Sequence, residues 1–286
     1  MRLTSSVFSA CLFLLGGAVA SALHGQGSAG CPADGSFVVH SGKPKGKEVK
    51  HEGITIYISE PEKHNPRAKA RKDTAVLYLS DVFGLDHVEN KLLADSFANA
   101  GYVTVVPDLF DGKPAPYDIN GFVPGFDIPE FLARHEPFAT DPIIAKTASY
   151  IRTKLKIPRI AATGYCFGGR YAFRVLSTPT FNGTKIADVA YAAHPSLLGD
   201  DEILAIEGPV SVATAEYDEL LLPERRHEIE ALLLQTGQSY QTVVYSGTVH
   251  GFAVRANVSV EEEKYGKEEA FLQAVRWFDR FVVGRK

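Results

Sequence analysis

The chain has 286 residues, a formal net charge of -4 and a hydrophobic fraction of 45%. That length suits one large α/β domain with a sizeable core. Mild acidity without a basic block excludes nucleic acid as the main partner, and there is no repeat or charge-segregated tail.

In chain order, the first segment differs from the rest. Arg2 precedes the apolar run Val7 to Ala20, and Ala20-Ser21-Ala22 forms a small-x-small exit. One positive charge, a short apolar core and small residues at the exit are the marks of a secretory signal peptide, and the run is short for a membrane span. The expectation is a signal peptide over residues 1–22, an irregular lead-in over 23–50 and one domain over 51–286, secreted and without a membrane contact once the signal is removed. The sequons at Asn182 and Asn257 agree with a secreted glycoprotein. Of the three cysteines, Cys11 leaves with the signal, so Cys31 and Cys166 remain, too few for a disulfide framework. Cys166 is expected free; Cys31 either pairs between chains or stays free.

Ile54 to Ile58 alternates and predicts a strand; Pro61 to Lys72 is polar and reads as a loop. Thr74 to Leu79 is a continuous apolar run, as in a strand buried on both faces of a parallel sheet. Asn90 to Ala100 has a helical apolar spacing ended by Gly101, and Tyr102 to Val106 is the next strand. From Leu109 to Thr140 prolines and glycines break the pattern, which predicts a loop-rich cap with short helical turns. Its aromatic residues (Phe110, Tyr117, Phe122, Phe126, Phe131, Phe138) either wall a pocket or form the cap's own small core. Asp141-Pro142 predicts a helix start running to about Lys154. Strands follow at Ile157 to Ala162, Ala187 to Ala193, Gly208 to Ala215 and Tyr240 to Tyr245. Helices are expected at Pro223 to Gln235 and Glu261 to Val283. This alternation predicts an α/β fold with a doubly wound, mainly parallel sheet.

The most informative stretch is Gly164-Tyr165-Cys166-Phe167-Gly168-Gly169. It joins an apolar strand to a helix and has the G-x-S-x-G spacing of a nucleophile elbow, with Cys in the Ser position. Side chains at Gly164 and Gly168 would collide with the incoming strand and outgoing helix. The elbow also sets Cys166 at a helix N-terminus, where positive dipole charge favours a thiolate. In such a sheet, ligands meet the loops at the carboxyl ends of the strands. Asp218 and His250 both follow strands there. Nucleophile, acid and base in that chain order are the order of α/β-hydrolases: a thiol to attack, an imidazole to move its proton, a carboxylate to orient the imidazole. The N–H groups of Phe167 and Val82 are the expected oxyanion donors. His87 reads as a surface residue at a helix start, His194 as a residue after a strand without an assigned role, and His227 as part of a charged helix. No grouping has zinc-ligand spacing and no dinucleotide fingerprint follows the first strand, so neither metal nor other cofactor is expected.

On the Cys elbow, the Asp218 turn, His250-Gly251-Phe252 and Asp81-Val82-Phe83-Gly84-Leu85, the chain resembles the dienelactone hydrolase family of α/β-hydrolases from about Glu52 to Phe281. The resemblance implies cofactor-free hydrolysis of a lactone or small ester through an acyl-thioester on Cys166, and it resembles the secreted fungal branch more than the bacterial one. It implies an acidic residue touching the resting thiol, usually Glu; Asp81 holds that position here with a side chain one methylene shorter. It also implies arginines that clamp a substrate carboxylate. Arg255 lies close to one such position and Phe83 beside the oxyanion loop, so both are candidate substrate contacts, but no Arg lies near Phe110-Asp111-Gly112. A less anionic lactone or ester is therefore expected. The partner is a small molecule, and the protein is expected to be a monomer or weak homo-oligomer. The alternatives are a binding or regulatory protein on the same scaffold, and a thioesterase or acyltransferase.

Overall fold

A computed structural model describes residues 37–118 and 121–284. The expected signal peptide over residues 1–22, and Cys11 and Cys31, fall outside those residues.

The described chain opens with strands β1 (Lys47–His51) and β2 (Ile54–Ser59), short helix α1 (Ala68–Arg71), strand β3 (Thr74–Leu79), helix α2 (Val88–Asn99) and strand β4 (Val103–Pro107). A small hairpin of β5 (Tyr117–Asp118) and β6 (Gly121–Phe122) follows, then helices α3 (Ile128–Arg134) and α4 (Pro137–Thr153). Next come β7 (Arg159–Tyr165), α5 (Phe167–Arg174), β8 (Val189–Ala193), α6 (Asp200–Leu204), β9 (Val210–Tyr217) and α7 (Pro223–Gln235). The chain finishes with β10 (Tyr240–Val249), α8 (Phe252–Arg255) and α9 (Glu261–Phe281).

Among the described residues the main sheet has eight strands in the order β1-β2-β4-β3-β7-β8-β9-β10. From β4 to β10 every pairing is parallel, while β2 joins β4, and β1 joins β2, antiparallel. This is the mainly parallel sheet that the alternation of elements implied. Strand β3 shows why it sits inside. Ala75, Leu77 and Leu79 enter one apolar cluster, and Val76 and Tyr78 enter the other across the sheet. Helices cover both faces, so a central strand needs apolar side chains at every position.

The structure corrects several expectations. The lead-in is not irregular to its end, because Lys47–His51 pairs with Ile54–Ser59. Glu52 and Gly53 between them both have positive φ, 49° and 84°, the twist that a two-residue hairpin needs. Charges at Lys47, Glu48 and Lys50 hid the strand; on a sheet edge they discourage pairing with other chains. The polar Pro61 to Lys72 segment contains α1. Helix α4 starts at Pro137 rather than Asp141, leaving Pro142 inside the helix. Pro142, the sixth residue of α4, offers no N–H to the Phe138 carbonyl and crowds it with its ring, a local cost that the helix carries.

In the cap region, Phe110 and Phe131 are buried within the main core cluster, with ring centroids 5.4 Å apart, and Phe110 lies 5.3 Å from Phe167. Those aromatics tie the cap to the elbow helix. Tyr117 instead stacks on His87 at 4.3 Å, and Phe138 is exposed.

Candidate active site

The elbow has the strained geometry its sequence implied. Cys166 has φ 50° and ψ -112°, between the end of β7 and the first turn of α5. A non-glycine residue holds such a conformation only where its surroundings over-determine it. They do so here. A Cβ at Gly164 would overlap the Gly168 carbonyl, and one at Gly168 would overlap the Leu79 carbonyl of β3. The Gly168 N–H donates to the Ser80 carbonyl at 3.1 Å, and the Cys166 N–H to the Ala193 carbonyl at 3.1 Å. The turn is thus pinned between its two neighbouring strands.

Strands β9 and β10 bring the other two candidates to the same end of the sheet. His250 Nδ1 lies 2.9 Å from both carboxylate oxygens of Asp218. The Asp218 side chain is fully buried, and its Oδ1 also accepts the N–H groups of Leu220 at 2.9 Å and Leu221 at 3.0 Å. Two backbone donors and an imidazole leave the carboxylate no freedom to turn. Nδ1 facing Asp218 directs Nε2 the other way, and Nε2 is buried without an aligned hydrogen bond.

The sulfur and the imidazole influence each other. Burial alone raises the Cys166 thiol, but the His250 charge and hydrogen bonding outweigh it, and the thiol sits below its ordinary value. Burial likewise opposes a charged imidazole, but the Cys166 thiolate and the Asp218 carboxylate raise His250 above its ordinary value. A lowered thiol and a raised imidazole favour a thiolate–imidazolium pair, the reactive form of a nucleophilic cysteine. Among the described residues, the backbone N–H groups of Val82 and Phe167 make no hydrogen bond. Two free donors beside the elbow are what a developing oxyanion requires.

Asp81 behaves differently from the expectation that it touches the thiol. Its Oδ1 accepts the Phe83 N–H at 3.2 Å and the Asn90 side-chain amide at 2.8 Å. Its Oδ2 faces Arg255 Nε at 3.2 Å, an ion pair whose N–H is not aligned for a hydrogen bond. The short side chain is consumed by its own loop and by Arg255, and its charge reaches the sulfur only through space, raising the thiol. Arg255 also lies 4.9 Å over the Phe83 ring. Both candidate substrate contacts are therefore engaged with each other.

His87 is buried rather than on the surface, with Nδ1 2.6 Å from Glu89 Oε2. His227 is exposed on α7, as its charged neighbours implied. His194 is fully buried, 4.9 Å from the His250 ring and tilted edge-on, and desolvation followed by the His250 charge holds it well below the ordinary imidazole value. One residue was missed as a site member. Ser196 Oγ lies 3.5 Å from Cys166 Sγ. Its only signal in the sequence was a hydroxyl two residues after His194, at the carboxyl end of β8.

Two clefts open beside these residues. One, of about 550 Å³, is lined by Asp218 and His250 together with Tyr217, Leu222, Pro223 and Val249. The other, of about 680 Å³, is lined by Phe83, His87, Lys113, Pro116 and Tyr117.

The chain matches the dienelactone hydrolase family over residues 57–282. It is 39% identical over 252 residues to hydrolase pyvD of Aspergillus violaceofuscus, covering 88% of this chain and 96% of that one. Against dienlactone hydrolase 1 of Gibberella moniliformis it is 28% identical, covering 88% and 94%. Among solved structures, esterase 2 of Thermogutta terrifontis superposes with a TM-score of 0.60 at 16% identity, covering 86% and 98%. A dienelactone hydrolase of Anabaena variabilis gives 0.57 at 14%, covering 84% and 99%. At such identities the structural likeness speaks for the fold alone, whereas the match over most of the sequence decides the family. The chain belongs to the dienelactone hydrolase family, carboxylic ester hydrolases on an α/β-hydrolase scaffold.

Proposed function

We propose that this protein hydrolyses a lactone or small ester through an acyl-thioester on Cys166, without a cofactor. The observation that carries the reading is the bidentate approach of Asp218 to His250 Nδ1, coupled to a thiol held below its ordinary value. The Cys166 thiolate adds to the substrate carbonyl, and the oxygen's developing charge falls to the Val82 and Phe167 N–H groups. As the tetrahedral intermediate collapses, the carbon–oxygen bond breaks and the His250 imidazolium gives its proton to the leaving alkoxide. Neutral His250 then takes a proton from water as that water adds to the thioester carbonyl. The carbon–sulfur bond breaks, the acid departs, and the thiolate returns beside an imidazolium. Asp218 keeps its charge throughout and steadies the imidazolium.

The groups around the Asp218–His250 pair favour a substrate with little negative charge; the cleft beside them does not have Cys166 in its lining. Its lining includes Glu216 and Glu219, no Lys or Arg, and the apolar surfaces of Tyr217, Leu222 and Val249. Arg255, the nearest candidate clamp for a substrate carboxylate, is occupied by Asp81. Acidic groups beside the His250 end of the site disfavour an anion there.

The test is a hydrolysis screen over neutral and anionic lactones and short esters with wild-type and Cys166→Ala protein, and intact mass to find an adduct on Cys166. Turnover of neutral substrates, lost in Cys166→Ala with the fold preserved, is the expected result; undiminished turnover by that variant removes Cys166 from the mechanism. Secretion through cleavage after Ala22 belongs to the same reading and is checked by N-terminal sequencing of the protein from culture medium.

A further inference from the structure

Ser196 stands against the sulfur through a set of features that have no other evident use. Its Oγ is 3.5 Å from Cys166 Sγ, and its backbone N–H donates to the Cys166 carbonyl at 3.1 Å. The residue is buried. The loop that carries it is strained on both sides, with φ 37° at His194 and 60° at Leu197. It also presses onto the elbow helix. A Cβ at Gly169 would lie 2.7 Å from Pro195 Cα and 2.8 Å from Pro195 Cβ, distances that no packed pair tolerates. The second glycine after Cys166 therefore admits Pro195, and Pro195 delivers Ser196 to the sulfur. The Asp81 carboxylate is spent on Phe83, Asn90 and Arg255. His250 and Ser196 therefore both stand at the sulfur, and the Ser196 hydroxyl is a side chain there with no charge of its own.

We propose that the Ser196 hydroxyl donates a hydrogen bond to the resting Cys166 thiolate and is a second activating group for the nucleophile, beside His250. The inference rests on Cys166 being the nucleophile of the proposed reaction. The hydroxyl keeps its proton throughout the cycle. It stabilises the sulfur's charge before attack, loses that acceptor in the thioester, and regains it when the thiolate leaves. A hydrogen bond to a charged acceptor is stronger than one to a neutral group, so its removal shifts the balance between thiolate and thiol. The neighbouring His194 has no such role, because its buried, uncharged ring only braces His250.

The test needs no substrate. The rate of iodoacetamide alkylation at Cys166 is followed by intact mass from pH 4 to 10 in wild type, Ser196→Ala and Ser196→Thr, with Cys166→Ala as the blank and circular dichroism to verify folding. In Ser196→Ala the alkylation inflection is expected to move up by about one pH unit, which is roughly a tenfold loss of thiolate at a pH below it. Ser196→Thr, which keeps a hydroxyl, is expected to restore most of that shift. The acid limb of kcat/KM moves up in Ser196→Ala alongside it. An unmoved inflection in folded Ser196→Ala overturns the proposal, and so does an activity loss of equal size at every pH with the inflection unchanged, because that is a packing effect. A shifted inflection in a protein whose wild type turns over no lactone or ester supports Ser196 as the thiol's partner and removes the hydrolase reading instead.

Discussion

Lys267 of α9 buries its ammonium and donates from Nζ to the carbonyl of Val254 at 2.8 Å, tying the terminal helix to α8, the turn that leads from His250 to Arg255. Desolvation lowers this lysine from 10.5 to about 8, against the opposing pull of Glu89 and Glu268. In the unfolded chain it binds its proton up to its ordinary value, so between about pH 8 and 10.5 the unfolded state holds more protons and stability rises with pH. The contribution across that window is on the order of 3 kcal/mol. The Lys267→Met variant is expected to lose this rise. Urea midpoints at pH 7.5, 9 and 10.5, taken as the difference between wild type and variant, isolate it from the other groups that titrate there.

Asp218→Asn keeps the shape of the carboxylate, and its amide oxygen still meets the Leu220 and Leu221 N–H groups, which bond Oδ1 in the native chain. It loses the charge that stabilises the imidazolium. The expected result is a folded protein whose kcat is down by on the order of 10³ to 10⁴. Stopped-flow or discontinuous ester hydrolysis measures it, and a loss under tenfold would show that the carboxylate is not needed to orient His250.

Arg255→Met leaves the fully buried Asp81 side chain facing no cation. Breaking one side of such a pair is expected to cost about 3 kcal/mol or more, read as a lower urea midpoint. Asp81 already raises the Cys166 thiol, and without Arg255 its charge is less compensated. Cys166 alkylation at neutral pH is therefore expected to slow in Arg255→Met. Faster alkylation would mean that the guanidinium does not offset Asp81 at the sulfur.

Gly168→Ala tests the elbow itself. Its new methyl would overlap the Leu79 carbonyl, a backbone atom of a central strand with nowhere to move. The expected outcome is a loss of roughly 3 kcal/mol or failure to accumulate as folded protein. Thermal unfolding of any soluble fraction gives the figure; a melting temperature within a degree or two of wild type would contradict the close packing of α5 on β3.

Residue pattern and structure agree most closely where a single physical requirement dominates. The apolar run Thr74–Leu79 required burial on both faces, and β3 lies in the middle of the sheet. The glycines around Cys166 required close backbone approach, and the overlaps at Gly164 and Gly168 supply the reason. They part where polar side chains cover regular structure. Lys47–His51 is charged and pairs only because Ile54–Ser59 offers its edge. His87 looked like a surface residue, and Glu89 and Tyr117 bury it.

The order of chemical groups along the chain, a thiol in a Gly-flanked turn, then an acid, then an imidazole after the last strand, was legible from the residues themselves. Each of those roles needs a particular residue type at a particular kind of position. What the sequence could not decide was which charges find each other. Whether Asp81 touches the sulfur or pairs with Arg255, and whether a serine thirty residues beyond the elbow reaches the thiol, depend on distances of a few ångströms between loops remote in sequence. Hydrogen bonds and ion pairs act only over that range, and only the packed chain sets it.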